Sequence, residues 1–205
     1  MTIRNLLGFL VVIAPGLPVW AQAEKQVSSS AESYGTLSQN ELALRMQNDD
    51  IEIRFIPLDL RVTRLLANDA FQSLRSLVET RRRGIDSVAS RAGVSEPGLA
   101  LVSFFGRRSD ARFDPQTLTL LIRNRVFRPL GVIPINPRFT SQQLDVREQA
   151  SAIYLFEEDI PVDDSFSLAY GSLVSDDWRN KQTMLDRERA RVASRMRGER
   201  RDPTR

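Results

Sequence analysis

The sequence predicts one α+β domain: an antiparallel β-sandwich, with an immunoglobulin-like arrangement as its candidate form, an amphipathic helix packed on it and a C-terminal helix. Three observations predict it. A single long segment, 68–92, repeats its apolar residues at helical spacing, and five short apolar segments rich in β-branched and aromatic residues follow, separated by turn-forming stretches. The last thirty residues are densely charged and carry a narrow apolar stripe.

Residues 1–23 hold one basic residue, Arg4, then the apolar run Leu6–Ala14, then Ala21-Gln22-Ala23, the layout of a cleavable secretory signal. The run is shorter than the roughly 20 residues that span a bilayer, and Pro15, Gly16 and Pro18 interrupt it, so no transmembrane span is expected after cleavage. The expected location is periplasmic or extracellular. Residues 24–40, with five serines and little to bury, read as a flexible linker, and 41–175 as the domain.

Ile51, Ile53 and Phe55 alternate with Glu52 and Arg54, the period of a half-buried strand that Pro57 ends. From Asn68 or Asp69, either of which can cap a helix, Phe71, Leu74, Val78, Ile85, Ala89 and Ala92 recur on one face. A break at Gly84 is one option for this helix, and Gly93 with Pro97 beyond it closes the segment. The strand-like segments come next: LALVSFF (99–105), LTLLI (118–122), VFRPLGVIPI (126–135), AIYLF (152–156) and FSLAY (166–170). The first is apolar at nearly every position, as in a strand covered on both faces. In VFRPLGVIPI, Pro129–Gly131 predicts a bend and Pro134 an edge strand, a protected edge rather than a proline-rich docking segment.

Residues 176–205 form the predicted C-terminal helix and a basic, disordered tail. Their 10 basic and 6 acidic side chains give +4, against 19 basic and 20 acidic in residues 1–175, so the net positive charge lies at the C-terminus and the body is near neutral. Nucleic-acid binding is not expected of such a chain. Trp178, Leu185 and Val192, seven apart, form a narrow stripe with two readings: it lies along the domain, or it is the candidate partner helix, for a protein partner or for self-association in a short coiled coil. The arginines from Arg187 to Arg201 are offered to anionic surfaces, with interleaved acids weakening their field.

Histidine and cysteine are both absent, which removes disulfides, the usual serine and cysteine triads, and the commonest zinc and iron–sulfur ligands. No phosphate-binding glycine loop or nucleophile elbow occurs, so no catalytic residue and no cofactor-binding residue is assigned. Two loops remain as candidates. Arg107, Arg108 and Arg112, in GRRSDARFDP, form a candidate anion site, offset by Asp110 and Asp114. Glu158, Asp159, Asp163 and Asp164, in EEDIPVDD, form the densest carboxylate group, and calcium is the cation such a loop would take, although no calcium-loop signature is present. The expected function is that of an exported, non-enzymatic binding or structural module of the bacterial cell envelope. The alternative is a carboxylate-based, calcium-dependent hydrolase of an extracellular polymer.

Overall fold

The computed structural model describes residues 35–201. In chain order its first half runs α1 (Gln39–Leu42), β1 (Leu44–Gln47), β2 (Ile51–Pro57), α2 (Leu60–Thr63), α3 (Asn68–Ala92), β3 (Gly98–Gly106) and β4 (Ala111–Arg112). A short 3-10 turn, Pro115–Thr117, leads into β5 (Leu118–Ile122), β6 (Arg125–Phe127) and β7 (Gly131–Pro134). Then come α4 (Arg138–Ser141), β8 (Gln143–Leu144), β9 (Gln149–Phe156), β10 (Ser167–Tyr170), β11 (Leu173–Ser175) and α5 (Trp178–Arg201).

The protein is mixed α+β. A five-stranded sheet has the order β1-β2-β3-β9-β7, a four-stranded sheet the order β11-β10-β5-β6, and β4 pairs with β8 in a third, minimal sheet. All named strand pairs are antiparallel. The predicted strands and both long helices are present. No helix among the described residues is long and apolar enough to cross a membrane.

Helix α3 lies on one face of the five-stranded sheet. Ile85, Val78 and Val88 pack there with Leu99, Ile153, Leu155, Leu130 and Ile133. The helix runs unbroken through Gly84 and closes at Gly93 in the left-handed conformation, φ 71°. Its N-cap is Ala67, without a side-chain cap bond, so Asn68 and Asp69 are inside the first turn rather than capping it. The opposite sheet face shares one core with the four-stranded sheet, in which Val102, Phe104, Leu118, Leu120, Leu168, Trp178 and Leu185 are buried. β3 is thus covered by helix on one side and by the second sheet on the other, which is why its sequence is apolar at alternate and intervening positions alike.

The stretch VFRPLGVIPI crosses between sheets. β6 is the edge of the four-stranded sheet, β7 the edge of the five-stranded one, and Arg128–Leu130 make the bend. Gly131 is required by proximity: a Cβ there would stand 2.5 Å from Val88 Cγ1 of α3. The Ile135 N–H donates to Ser151 O at 2.9 Å, so antiparallel alternation turns odd-numbered backbone groups toward β9 and leaves Val132 and Pro134 facing outward. Proline has no N–H to offer, and the outward row therefore templates poorly for another strand.

The first described residues are built into the body, unlike the expectation of a linker, and α5 lies along the domain, one of its two expected placements, with residues 194–197 exposed. Residues 35–40 belong to the stretch read as linker, yet Leu37 is buried, its N–H donates to Leu65 O at 3.1 Å, and its carbonyl accepts from Ala67 N at 2.9 Å. Ser38 and Glu41 form a capping box for α1. The buried Glu188 of α5 accepts from Thr36 N at 2.7 Å and Thr36 Oγ1 at 3.0 Å, and pairs with Arg191. A polar segment with almost nothing to bury is ordered here by hydrogen bonds to backbone and to a distant helix.

Candidate functional site

Helix α3 covers only part of its sheet face. Beyond it, the strand register lays out two transverse rows on the same face. Arg45 lies opposite Arg54, Arg54 opposite Ser103, and Ser103 opposite Ser151; in the next row Gln47, Glu52, Phe105 and Gln149 follow in the same strand order. Arg54, Ser103 and Ser151 of the first row and Phe105 and Gln149 of the second floor a groove of about 310 Å³. Gln39 and Asn40 of α1, Leu77 of α3 and Ile135 wall it.

Two serines interrupt the apolar runs of β3 and β9, and the register makes them partners. Ser103 and Ser151 are 7% and 5% exposed, their hydroxyl oxygens 2.8 Å apart. Gln149 Nε2 donates to Ser103 Oγ at 3.2 Å and to Ser151 Oγ at 2.8 Å. Hydroxyls buried at a sheet centre need such partners, since each unpaired polar group costs on the order of 1–3 kcal/mol. Asn136 ties the far side, donating from Nδ2 to Gln149 O at 3.2 Å and accepting from Ser151 N at 3.4 Å.

Arg54 spans the near side. Its Nε lies 2.7 Å from Glu52 Oε1, its Nη1 donates to Asn40 Oδ1 at 3.2 Å, and its guanidinium carbon stands 4.3 Å over the Phe105 ring. Arg81 reaches the opposite rim, donating from Nη2 to Ile135 O at 3.0 Å, while its buried Nε has no acceptor among the described residues. Lys181 donates to Glu41 O at 2.6 Å from beneath α1, and burial, with Arg45 adding repulsion, lowers its pKa from the ordinary lysine value. The groove can therefore hold a ligand by hydrogen bonds and by arginine. Its serines bond to each other and to an amide, which is no base.

The loop residues singled out in the sequence lie elsewhere and do not converge. Arg107 donates to the Asn48 carbonyl, Arg108 pairs with Asp50 at 3.0 Å, and Arg112 is on β4, opposite Gln143. Two of the three guanidiniums thus fasten the β1–β2 turn rather than frame one anion. Trp178 and Leu185 are fully buried in the chain's own core and Val192 packs against it, so the seven-residue stripe is a core contact and not a free partner seam. The reason is that α5 follows β11 directly and lays its apolar edge back on the sheets.

The acidic loop is an ion-pair clasp. Arg61 of α2 reaches Asp163 at 3.1 Å and Asp159 at 3.7 Å, Arg189 of α5 reaches Asp163 at 2.7 Å, Arg123 reaches Asp164 at 3.1 Å, and Arg125 reaches Glu158 at 3.3 Å. The hydrogen bonds that Arg61 donates to the Asp59 carboxylate raise the Arg61 pKa above its ordinary value, and the Ser165 N–H, followed by Arg123, lowers that of Asp164. No group of three or more acidic side chains gathers for a metal ion among the described residues. Calcium at this loop would have to displace arginines drawn from three regions of the chain. The expected result is an unchanged melting temperature on adding calcium or chelator; a rise of several degrees with calcium would restore the loop as a cation site.

The groove residues themselves escape sequence reading. Their one signal is a serine standing at 103 inside LALVSFF and another at 151 between two alanines. Comparison with protein-family models, with curated proteins and with solved structures finds no match for this chain.

Proposed function

We propose that the protein is an exported, non-enzymatic binding module of the bacterial cell envelope, and that the groove at the open end of the α3-covered face is its binding surface. The observation that carries this reading is the buried Ser103–Ser151 pair, bonded to the exposed Gln149 and lining a groove rather than sealed in a core. Hydroxyls are a costly choice for the centre of a sheet, where alanine or valine would pack without partners, and they are well suited to hydrogen-bonding a ligand. The signal-like arrangement of residues 1–23 supports export. In this reading the two sheets, which share one core, are the layers of a β-sandwich, and the groove opens on its outer, helix-bearing face. The immunoglobulin-like form is not carried further, because a 25-residue helix intervenes between the neighbouring strands β2 and β3.

The test is site-specific photocrosslinking in intact bacteria expressing the full chain. A photoreactive residue at Asn40, on the groove rim, is expected to give a discrete adduct that the same residue at Arg83, on the exposed side of α3, does not give. Fractionation should find the protein outside the cytoplasmic membrane. Identical adducts at both positions, or retention in the cytoplasm, would overturn the proposal.

A further inference from the structure

The donor and charge balance of the groove narrows what fits it, and this inference rests on the binding reading above. In the floor, Gln149 supplies protons to both serine oxygens, and one serine donates to the other. Two hydroxyls carry two protons, so one is left without an acceptor among the described residues. At one end, Arg54 lines the groove and Arg45, just outside the lining, is directly opposite it on the neighbouring strand, an arrangement that repels unless an anion stands between or beside them. Glu52 is already bonded to Arg54, and no ion pair is formed by Arg45 or by Arg81 among the described residues. At the other rim the Arg81 Nε lacks an acceptor. The Glu41 carboxylate is turned away into its capping box with Ser38. One serine proton and the Arg81 Nε thus lack acceptors among the described residues, and Glu52 sets a single carboxylate against the guanidiniums of Arg45 and Arg54.

The remaining lining separates the classes of anion. Gln39, Asn40 and Gln149 offer amides that both donate and accept, as a peptide backbone requires, and Ile56, Leu77, Leu101 and Ile135 offer apolar contact for a small side chain. A sugar would want an open aromatic face, but the Arg54 guanidinium covers Phe105. The volume of about 310 Å³ is at the lower end for small-ligand sites. We propose that the groove binds the C-terminal carboxylate of a short extended peptide, with the carboxylate between Arg45 and Arg54 and the last residue over the Ser103–Ser151 pair.

The experiment follows side-chain amide resonances of the 15N-labelled full chain during titration with acetyl-Ala-Ala, its carboxamide, glucuronate and inorganic phosphate. Acetyl-Ala-Ala is expected to shift Asn40 and Gln149 saturably, and the carboxamide to bind about tenfold more weakly, the loss typical of a charge-assisted hydrogen bond. Arg54→Gln should weaken the acid about tenfold and leave the carboxamide unchanged. Arg45→Gln, at the exposed edge, tests the same point where a folding defect is not expected, and the acid–amide comparison needs no variant at all. Equal affinity for acid and amide, tighter binding of glucuronate or phosphate, or no saturable shift up to about 10 mM would overturn the proposal. Crosslinking at Asn40 without any preference for carboxylate would overturn this inference and leave the binding reading standing; absence of both an adduct and a saturable shift would overturn the two together.

Discussion

Replacing Trp178 by alanine is expected to destabilise the protein by about 3–5 kcal/mol, the range for removing a large aromatic from a packed core. Trp178 is fully buried at the start of α5, its Nε1 donates to Val162 O at 3.2 Å, and its ring centroid lies 5.0 Å from that of Phe166. Gln182, one turn further, donates to the same carbonyl at 3.0 Å. The substitution therefore empties a core volume and loosens the loop between β9 and β10 that α5 holds down. Domains of this size have only about 5–15 kcal/mol to lose, so the variant should unfold at markedly lower urea and a chain ending at Ser175 should not fold cooperatively. Urea titration followed by far-ultraviolet circular dichroism measures both. A loss below about 1 kcal/mol, or a truncated chain with the parent midpoint, would show that α5 is an accessory and return its apolar stripe to the role of a partner helix.

The elements were legible in the sequence because their signals are local. The alternation around Ile51–Phe55, the helical recurrence from Phe71 to Ala92 and the glycine at 93 each fix a segment by its neighbours in sequence, and β2, α3 and its C-cap are found there. The bend at Pro129–Gly131 was legible for the same reason. What was not legible depends on register. Ser103 and Ser151 are 48 residues apart, and only the alignment of β3 with β9 makes them a pair. Arg45 and Arg54 oppose each other only because the β1–β2 register places them so. The charged loops mislead in the opposite sense. EEDIPVDD carries only acidic charges and GRRSDARFDP carries both signs, yet their ion-pair partners arrive from distant elements: Asp50 for Arg108, and Arg61 and Arg189 for Asp163. Trp178 and Leu185 look like a free stripe because a sequence states helical period without stating which surface the helix meets.

Replacing Phe104 by alanine is the second large expected effect, about 3–5 kcal/mol, and it should carry a local signature. Phe104, on β3, is fully buried and stacks on Phe113 with ring centroids 4.4 Å apart; Phe139 of α4 and Tyr170 of β10 stand 6.1 and 5.8 Å away. Phe139 in turn meets Tyr154 of β9, whose hydroxyl donates to Pro115 O at 3.1 Å. One ring thus joins strands of both larger sheets to the segment that carries β4, whose sheet has only two residue pairs with β8. A two-stranded ribbon so short has no stability of its own in water. Its order must come from Ala111, Phe113, Phe139 and Leu144 docking beside Phe104. The variant should accordingly lose protection from hydrogen exchange first at Phe113, whose N–H donates to Gln142 O, while amides of β2 and β9 exchange only with global unfolding. Phe104→Leu, which keeps most of the volume, should cost less and spare the local protection. If Phe113 stays as protected as β9 in the alanine variant, the small sheet is held by something other than this aromatic node, and the ring contacts are packing without consequence for order.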